Sequence, residues 1–354
     1  VQLTWHAGRA LASFGDPRAE SLFIALKDHP DWRLRKVAVV GLGGLGKPTL
    51  ADDVQPLLDD QDRTVRGQAA LAMGRLYRGA DAAPPESLIK QVEKMLNDNS
   101  RFVRDSALQT LTDFTAPRSV PAVVALLDDR APFIRRQAAA TLASIASPKA
   151  VQPLVSKLEA DDDVVRDHAI EGLRRIGAPA VSAVIKRLRK DENRDNERLL
   201  DGAREVLAGI GAPAVPPLVK LLGSRHWRVR AMASRALGSI GAPAVEPLKK
   251  VVGNGGPEEQ FRAVRALARI DAPGVDDVLI KALASPSARS RQLASELLGK
   301  RKVQDAVGAL IDVLDDDDRR VQQAARQALQ RITGQRLGDA PDAWRQWLDE
   351  QTAE

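Results

Sequence analysis

The chain has 354 residues, a formal net charge of +6 and no cysteine, so disulfides, thiolate metal sites and a cysteine nucleophile are excluded. Its apolar content of 44% is sufficient for folding, and only 3% of its residues are aromatic, which is typical of helices packed closely through small aliphatic side chains. No apolar run reaches the length of about 18 residues that a membrane span needs, and the composition leaves the compartment open.

Residues 1–15 have the pattern of the second helix of a pair without its first, so we expect a partial repeat here and a further helix upstream of Val1. Residues 16–334 then repeat with a period of about 31 residues. Seven copies are marked by an aliphatic residue or Phe followed by an arginine, here named the anchor arginine: Leu34-Arg35, Val65-Arg66, Val103-Arg104, Ile134-Arg135, Val165-Arg166, Val229-Arg230 and Phe261-Arg262. Leu199-Leu200 and Val321-Gln322 lack the arginine, and Arg291 follows Ser290.

An acidic residue stands three positions before several of these aliphatic residues, at Asp31, Asp62, Asp162 and Asp318. A carboxylate at this place can accept hydrogen bonds from the free backbone N–H groups of a helix start. Downstream of one anchor, Ala138, Ala139, Leu142 and Ile145 give an apolar face with a period of about 3.6 residues. Each anchor therefore predicts the start of the second helix of a pair.

Three copies of Gly-Ala-Pro-Ala-Val, beginning at Gly177, Gly211 and Gly241, separate one pair from the next. Glycine just past a helix end can take the left-handed conformation that closes the helix, and proline suits the first position of the next helix. The following first helix contains a proline, which removes one hydrogen bond and predicts a bend, at Pro56, Pro153, Pro217 and Pro247. Residues 78–85 and 191–197 lengthen two repeats, and residues 253–257 are expected to loosen a third turn.

The proline-bearing first helix, the turn with Asp and the Val-Arg that opens the second helix resemble the HEAT repeat family, in particular its short bacterial members, which include subunits of phycobilin lyases. This resemblance implies an all-α fold: a right-handed α-solenoid of about ten antiparallel helix pairs, with the second helices on the concave side. We expect a single array over residues 1–354. Residues 335–354, with Trp344 and Trp347, are expected to form a capping helix.

The segment Gly41–Lys47 matches part of a nucleotide-binding loop, but such a loop must follow a strand and open a helix. Here the glycines close a second helix, so we interpret the segment as a glycine-rich helix end. Acidic clusters such as residues 315–318 lack the glycine and distal Glu of a calcium loop and are interpreted as capping residues. The four histidines are scattered, and we predict no catalytic, cofactor or metal site.

Positive charge is concentrated in one part of the chain. Residues 174–270 contain 19 Lys or Arg against 9 Asp or Glu, an excess of 10, although the whole chain has a net charge of +6. The anchor arginines are interpreted as architectural, so interest falls on the other basic residues and on one tryptophan. Within residues 162–270 and their second helices, the predicted partner contacts are Arg174, Arg175, Arg225, Trp227, Arg228, Arg235, Arg265 and Arg269.

Two kinds of partner fit such a basic surface. A non-enzymatic scaffold would bind an acidic protein surface, whereas a nucleic-acid binder would contact phosphate groups with the same residues. Aromatic side chains that could stack on bases are scarce in this block, where only Trp227 and Phe261 occur and Phe261 is expected in the core. The sequence therefore favours a protein partner. A lyase-type or other enzyme-associated subunit is a minor alternative, and the oligomeric state stays open.

Overall fold

A computed structural model describes residues 17–190 and 195–352 of the chain. These residues form 21 α-helices and no β-strand, which confirms the predicted all-α class. The chain divides into two compact units, Val1–Ala180 and Val181–Glu354. The partial repeat predicted at residues 1–15 and most of the irregular segment 191–197 lie outside the described residues, and the single array over residues 1–354 stays a prediction.

The α-helices of the first unit are α1 (Glu20–Leu26), α2 (Trp32–Gly44), α3 (Ala51–Val54), α4 (Arg63–Tyr77), α5 (Glu86–Met95), α6 (Arg101–Phe114), α7 (Val120–Val124), α8 (Pro132–Ile145), α9 (Val151–Ser156) and α10 (Asp163–Ile176). They are followed by α11 (Ala178–Leu188), α12 (Glu197–Ile210), α13 (Val215–Leu221), α14 (Trp227–Ile240), α15 (Val245–Asn254), α16 (Pro257–Leu267), α17 (Val275–Ala282), α18 (Ala288–Arg301), α19 (Val307–Asp312), α20 (Arg319–Thr333) and α21 (Pro341–Thr352). Short 3₁₀ segments such as Pro48–Leu50, Gln55–Asp59, Ala212–Ala214 and Ala242–Ala244 flank several first helices.

Helices pack in a row within each unit. In the first unit α2 contacts α4, α4 contacts α6, α6 contacts α8, and α8 contacts α10. In the second unit the same relation joins α12, α14, α16, α18 and α20, and the first helices α13, α15, α17 and α19 each contact the second helix that follows them. The apolar face predicted for α8 is buried throughout, at Ala138, Ala139, Leu142 and Ile145. The repeat of stacked helix pairs is therefore confirmed, and with it the solenoid fold class.

The predicted helix signals are present as backbone geometry. Asp62 accepts hydrogen bonds from the N–H groups of Thr64 and Val65, and Asp31, Asp162 and Asp318 cap their helices in the same way. Gly211 and Gly241 have φ of 80°, a conformation that residues with a Cβ rarely adopt. These residues end α12 and α14, as predicted.

Three local expectations differ from the structure. Pro153, Pro217 and Pro247 are each the third residue of an α-helix, where an N–H group has no partner within that helix, so the proline costs no bond there. Pro56 lies in the 3₁₀ segment Gln55–Asp59. The turn expected to be loose at residues 253–257 is short, because α15 continues to Asn254 and α16 begins at Pro257.

One predicted anchor is wrong by one residue. In α16 the buried residues Gln260, Ala263, Val264 and Leu267 have the spacing that Val229, Met232, Ala233 and Ala236 have in α14. Gln260 therefore takes the aliphatic position, and Phe261 takes the position of the anchor arginine. The pair Phe261-Arg262 resembled an anchor in sequence only, because Gln260 forms a buried hydrogen bond with Ser285 and so replaces an apolar contact with a polar one.

The anchor arginines join neighbouring repeats. Each of several donates to the backbone carbonyl of the residue six positions earlier and to a carboxylate of the following repeat. The pairs are Arg35 with Asp60, Arg66 with Asp98, Arg104 with Asp129 and Arg291 with Asp316, with N–O distances of 2.5–2.9 Å. Where the arginine is missing, Gln322 donates to the Asp316 carbonyl instead, at 2.6 Å. These bonds, here named the arginine ladder, confirm the architectural interpretation.

The C-terminal helix α21 packs against α19. Trp344 is fully buried, its indole N–H donates to the Gly338 carbonyl at 3.0 Å, and its ring meets Trp347 edge to face. The helix predicted in this segment is therefore present. Among the described residues, none of the helices is both long enough and apolar enough to span a membrane.

The glycine-rich segment belongs to a helix and to its end. Gly41 and Gly43 lie inside α2, and Gly46 follows it with φ of 63°. A Cβ added at Gly43 would lie 2.6 Å from the Ala72 Cβ and 2.7 Å from the Ala72 Cα on α4. Gly43 is therefore needed for close approach of two second helices, which agrees with a helix end rather than a phosphate-binding loop.

We expect Gly43→Ala to lower the free energy of unfolding by about 1–3 kcal/mol, because the added methyl group forces α2 and α4 apart. Gly308→Ala is the matched control, since Gly308 also lies in a helix but has open space around its Cα. That control should raise stability by about 0.5–1 kcal/mol. Urea unfolding followed by circular dichroism measures both, and a stabilised Gly43→Ala variant would contradict the close contact.

The Asp316 carboxyl has a lowered pKa in the folded chain. Burial acts to raise this pKa, but hydrogen bonds from Arg291 and from the Asp318 N–H, together with the Arg291 charge, lower it by more. Its folded pKa thus lies below the value of about 3.9 expected for an unfolded chain. The resulting stabilisation is fully present above about pH 4 and is lost as the pH falls through the folded pKa.

We expect Asp316→Asn to cost about 1–3 kcal/mol at pH 7, because it removes the charge that pairs with Arg291. The difference from the unmodified chain should shrink as the pH falls below about 4. The adjacent exposed Asp317 gives the control, and Asp317→Asn should change stability by less than about 0.5 kcal/mol. Thermal unfolding at several pH values tests this, and equal effects of the two substitutions would argue against the ladder.

Candidate functional site

Five arginines of the second unit come together on the second helices α14, α16 and α18 and in the turn that follows α16, where Arg269 lies. They are Arg235, Arg262, Arg265, Arg269 and Arg289, here named the arginine cluster. Burial and the charges of the other four lower the pKa of Arg265, which places these guanidinium groups within electrostatic range of one another. The aliphatic stem of Arg269 lies over Gly238, where a Cβ would come within 2.9 Å of it. The site is thus built by close packing of α14 against α16.

Carboxylates neutralise only part of this cluster. Glu258 accepts from Arg262 at 2.8 Å and lies 3.5 Å from Arg289. Arg235, Arg265 and Arg269 have no carboxylate partner among the residues that the structure describes. Three cations are therefore available to a negatively charged ligand.

The sequence predicted that Phe261 lies in the core, but its ring instead contacts arginines of the cluster. Its ring is half-buried, and the guanidinium groups of Arg262 and Arg265 lie 5.4 and 5.8 Å from the ring centre. Arg289 is closer, at 4.0 Å, in the range of a cation–π contact. Phe261 lies among the arginines because the anchor in α16 is shifted by one residue, which places Phe261 at the position of the anchor arginine and not at the buried position.

Trp227 is the most exposed large apolar side chain among those described in this unit, at 60%. It lines a cleft of about 340 Å³ between α12 and α14, together with Arg228, Arg204 and Arg235. Arg228 stacks on the Trp227 ring at 5.2 Å and also forms ion pairs with Asp195 and Glu197, at 3.5 and 3.3 Å. One face of the Trp227 ring is therefore occupied and the Arg228 charge is already matched, but most of the Trp227 side chain is exposed to a partner.

The eight residues predicted as contacts do not form one group. Arg235 lines the Trp227 cleft and also belongs to the arginine cluster with Arg265 and Arg269. Arg225 is exposed in the turn before α14. Arg174 and Arg175 lie in the first unit and form ion pairs with Glu171 on their own helix. Arg289 was missed, and its position directly before the buried Ser290, where Arg228 stands before Val229, is the signal that could have found it.

Three turns of the repeat lack the carboxylate of the ladder. The carboxylates Asp60, Asp98, Asp129 and Asp316 are replaced by Ala160, Ser224 and Ser285 at the equivalent positions of other repeats. The anchor arginines Arg166, Arg230 and Arg291 still donate to the backbone carbonyls of those three residues. Each of these arginines also has a carboxylate partner elsewhere, Asp163, Glu258 and Asp316 respectively, so the replacements remove one negative charge from each turn and leave the arginine bonds in place. No group of three or more His, Asp or Glu side chains suited to a metal occurs in the described part of the chain.

The repeat seen in the structure is also found by comparison with known protein families. The family model for HEAT repeats matches seven overlapping segments, residues 2–74, 19–112, 56–143, 89–174, 120–202, 181–268 and 245–330. No curated protein matches the chain.

Solved structures resemble the chain in fold. Kap121p bound to Pho4p has a TM-score of 0.53 at 14% identity over 96% of this chain and 43% of that chain. Kap121p bound to the extreme C-terminus of the protein phosphatase Cdc14p has a TM-score of 0.51 at 14% identity over 96% and 44%. An engineered protein matches at 21% identity and a TM-score of 0.43, over 93% of this chain and 94% of that one. The chain spans less than half the length of Kap121p.

Replacement of Arg235 and replacement of Arg228 should change stability in opposite directions. Arg235→Gln should raise stability by up to about 0.5 kcal/mol at low salt, because it removes repulsion between like charges. Arg228→Gln should lower stability by about 0.5 kcal/mol, because it removes ion pairs with Asp195 and Glu197. Urea unfolding at about 20 mM and about 500 mM NaCl distinguishes them, since both effects should diminish at high salt. A salt-independent loss of stability in Arg235→Gln would disprove the repulsion.

Proposed function

We propose that this chain, which belongs to the HEAT repeat family, is a non-enzymatic scaffold that binds an acidic segment of a protein partner through the arginine cluster and Trp227. The observation that carries this proposal is a set of three arginines without carboxylate partners among the described residues: Arg235 on α14, Arg265 on α16, and Arg269 in the turn that follows α16.

Holding these arginines together has an electrostatic cost that a bound carboxylate would offset. Guanidinium groups bind carboxylates with two parallel hydrogen bonds, so planar acidic side chains fit such a cluster well. Each contact would also replace repulsion between arginines with attraction. An acidic segment is therefore the partner chemistry that best complements this surface.

Trp227 gives the second part of the surface. Large exposed aromatic residues next to arginine are common among the few residues that dominate protein interfaces. The cleft beside it contains the apolar side chains of Leu200 and Met232. An apolar side chain of the partner could enter this cleft while neighbouring acidic residues contact Arg235. Kap121p, which has a similar fold, is bound to Pho4p in one structure and to the extreme C-terminus of the protein phosphatase Cdc14p in another, which supports the capacity of the fold for such binding.

The nucleic-acid alternative is weaker on this surface. Arg289 lies 4.0 Å from the Phe261 ring centre, so one face of that ring is already occupied by a guanidinium group. Trp227 is stacked with Arg228. Bases would thus compete with existing stacking partners for both aromatic residues.

We expect a fluorescein-labelled Glu-rich peptide to bind roughly tenfold more weakly when Arg235 and Arg269 are both replaced by Glu, because attraction becomes repulsion. Replacing the exposed Arg319 and Arg331 of α20 by Glu changes the net charge equally and should have less than about a twofold effect. Fluorescence anisotropy measures the affinities, and circular dichroism checks that helical content is unchanged.

A matched pair of tryptophan variants tests the rest of the surface with a Glu-rich peptide that also contains leucine. Trp32 begins α2 as Trp227 begins α14, and each is followed by an arginine stacked on its ring. Trp227→Ala should weaken binding, whereas Trp32→Ala should not. If the cluster variant and the α20 variant lost peptide affinity equally, net charge alone would explain binding and the proposal would be overturned. Tighter binding of a DNA duplex at the same surface would also overturn it.

A further inference from the structure

The first unit contains a second cationic cleft, far in sequence from the basic block. It has a volume of about 720 Å³ and crosses the starts of α4 and α6 and the turn before α8. Its basic side chains are Lys36, Arg63, Arg101, Arg104 and Arg130, and no carboxylate lines it. This cleft could not be predicted from the sequence, because its residues are spread over four repeats whose overall charge is balanced.

The positive charge of this cleft is largely unmatched. Lys36, Arg63 and Arg101 form no ion pair among the described residues, and Arg130 makes only a 3.4 Å hydrogen bond to the Asn99 carbonyl. Arg104 is paired with Asp129, which is buried beside it. Asp98 and Asp129, the carboxylates nearest in sequence to Arg101 and Arg130, belong to the ladder. Four cations are therefore left for a ligand.

Aromatic rings accompany these cations. Phe102 lines the cleft, and its ring lies over Gly67, where a Cβ would come within 2.3 Å of it. Phe133 holds the same position in the next repeat and is 56% exposed. The start of α6 also lines the cleft and has no side-chain cap, so the backbone N–H groups of Arg101 and Phe102 add hydrogen-bond donors.

We propose that this cleft, with Phe133 beside it, binds single-stranded nucleic acid. Each nucleotide has one phosphate and one flat base, which matches cations and aromatic rings placed side by side. An acidic peptide would use the cations but has no flat group to pair with the two rings. A duplex encloses its base faces in the stack, so it could use the cations alone. The ligand and the surface both differ from those of the scaffold function proposed above.

The probe is a fluorescein-labelled single strand of about 20 thymidines, titrated by anisotropy at several salt concentrations. Replacing Arg63 and Arg101 by Glu should weaken binding at least tenfold. Each single substitution, Arg63→Gln or Arg101→Gln, should reduce the slope of log affinity against log salt by about 0.7, the value for one phosphate contact on a single strand. Phe133→Ala should weaken binding about fivefold or more through lost stacking.

Two controls distinguish this site from general charge. Val164 is the exposed residue at the Phe133 position of the following repeat, and Val164→Ala should leave affinity unchanged. The Arg235 and Arg269 double variant should retain binding of the single strand, whatever it does to the acidic peptide. Absence of binding at low salt, loss of binding in that double variant, or tighter binding of a duplex or a Glu-rich peptide would each overturn the proposal.

Discussion

The structure depends on a bond between an arginine of one repeat and the turn of the next. Arg66, for example, donates to the carbonyl of Asp60 and to the carboxylate of Asp98, so one side chain fixes its own turn and the following repeat together. A repeat array has no central core, and its stability comes from interfaces between neighbours. The arginine ladder adds a directional, charge-assisted contact to each apolar interface, which specifies the register of one pair on the next.

The same ladder sets where the chain can bind. Ser224 and Ser285 stand where other repeats have a ladder aspartate, and their backbone carbonyls still accept from Arg230 and Arg291. Such a replacement therefore keeps the carbonyl bond and removes one negative charge from the surface. Arg265 shows the electrostatic result, since burial and four neighbouring guanidinium groups lower its pKa. A partner that supplies acidic side chains would relieve this repulsion, so binding and local stability are coupled through the same residues.

Much of the fold could be predicted from sequence because its signals are local. The Asp62 cap and the positive φ at Gly211 depend on residues within one turn, and the repeat places them in register. The site was harder to predict because it depends on contacts between repeats. Phe261-Arg262 looked like an anchor, yet the buried Gln260 shifts the helix by one residue and brings the Phe261 ring to the arginines. No pattern within one repeat contains that information.

Two cationic surfaces on the same scaffold need not bind the same ligand, because their aromatic residues differ in availability. At the arginine cluster, guanidinium groups already occupy the faces of Phe261 and Trp227, which leaves charge and an apolar cleft as the means of recognition. In the first unit no cation–π partner is found among the described residues for Phe133, which is exposed and follows the cleft-lining Ala131 by two residues. Net charge attracts anions to both surfaces, but the free ring faces decide which anion gains additional contacts after the encounter.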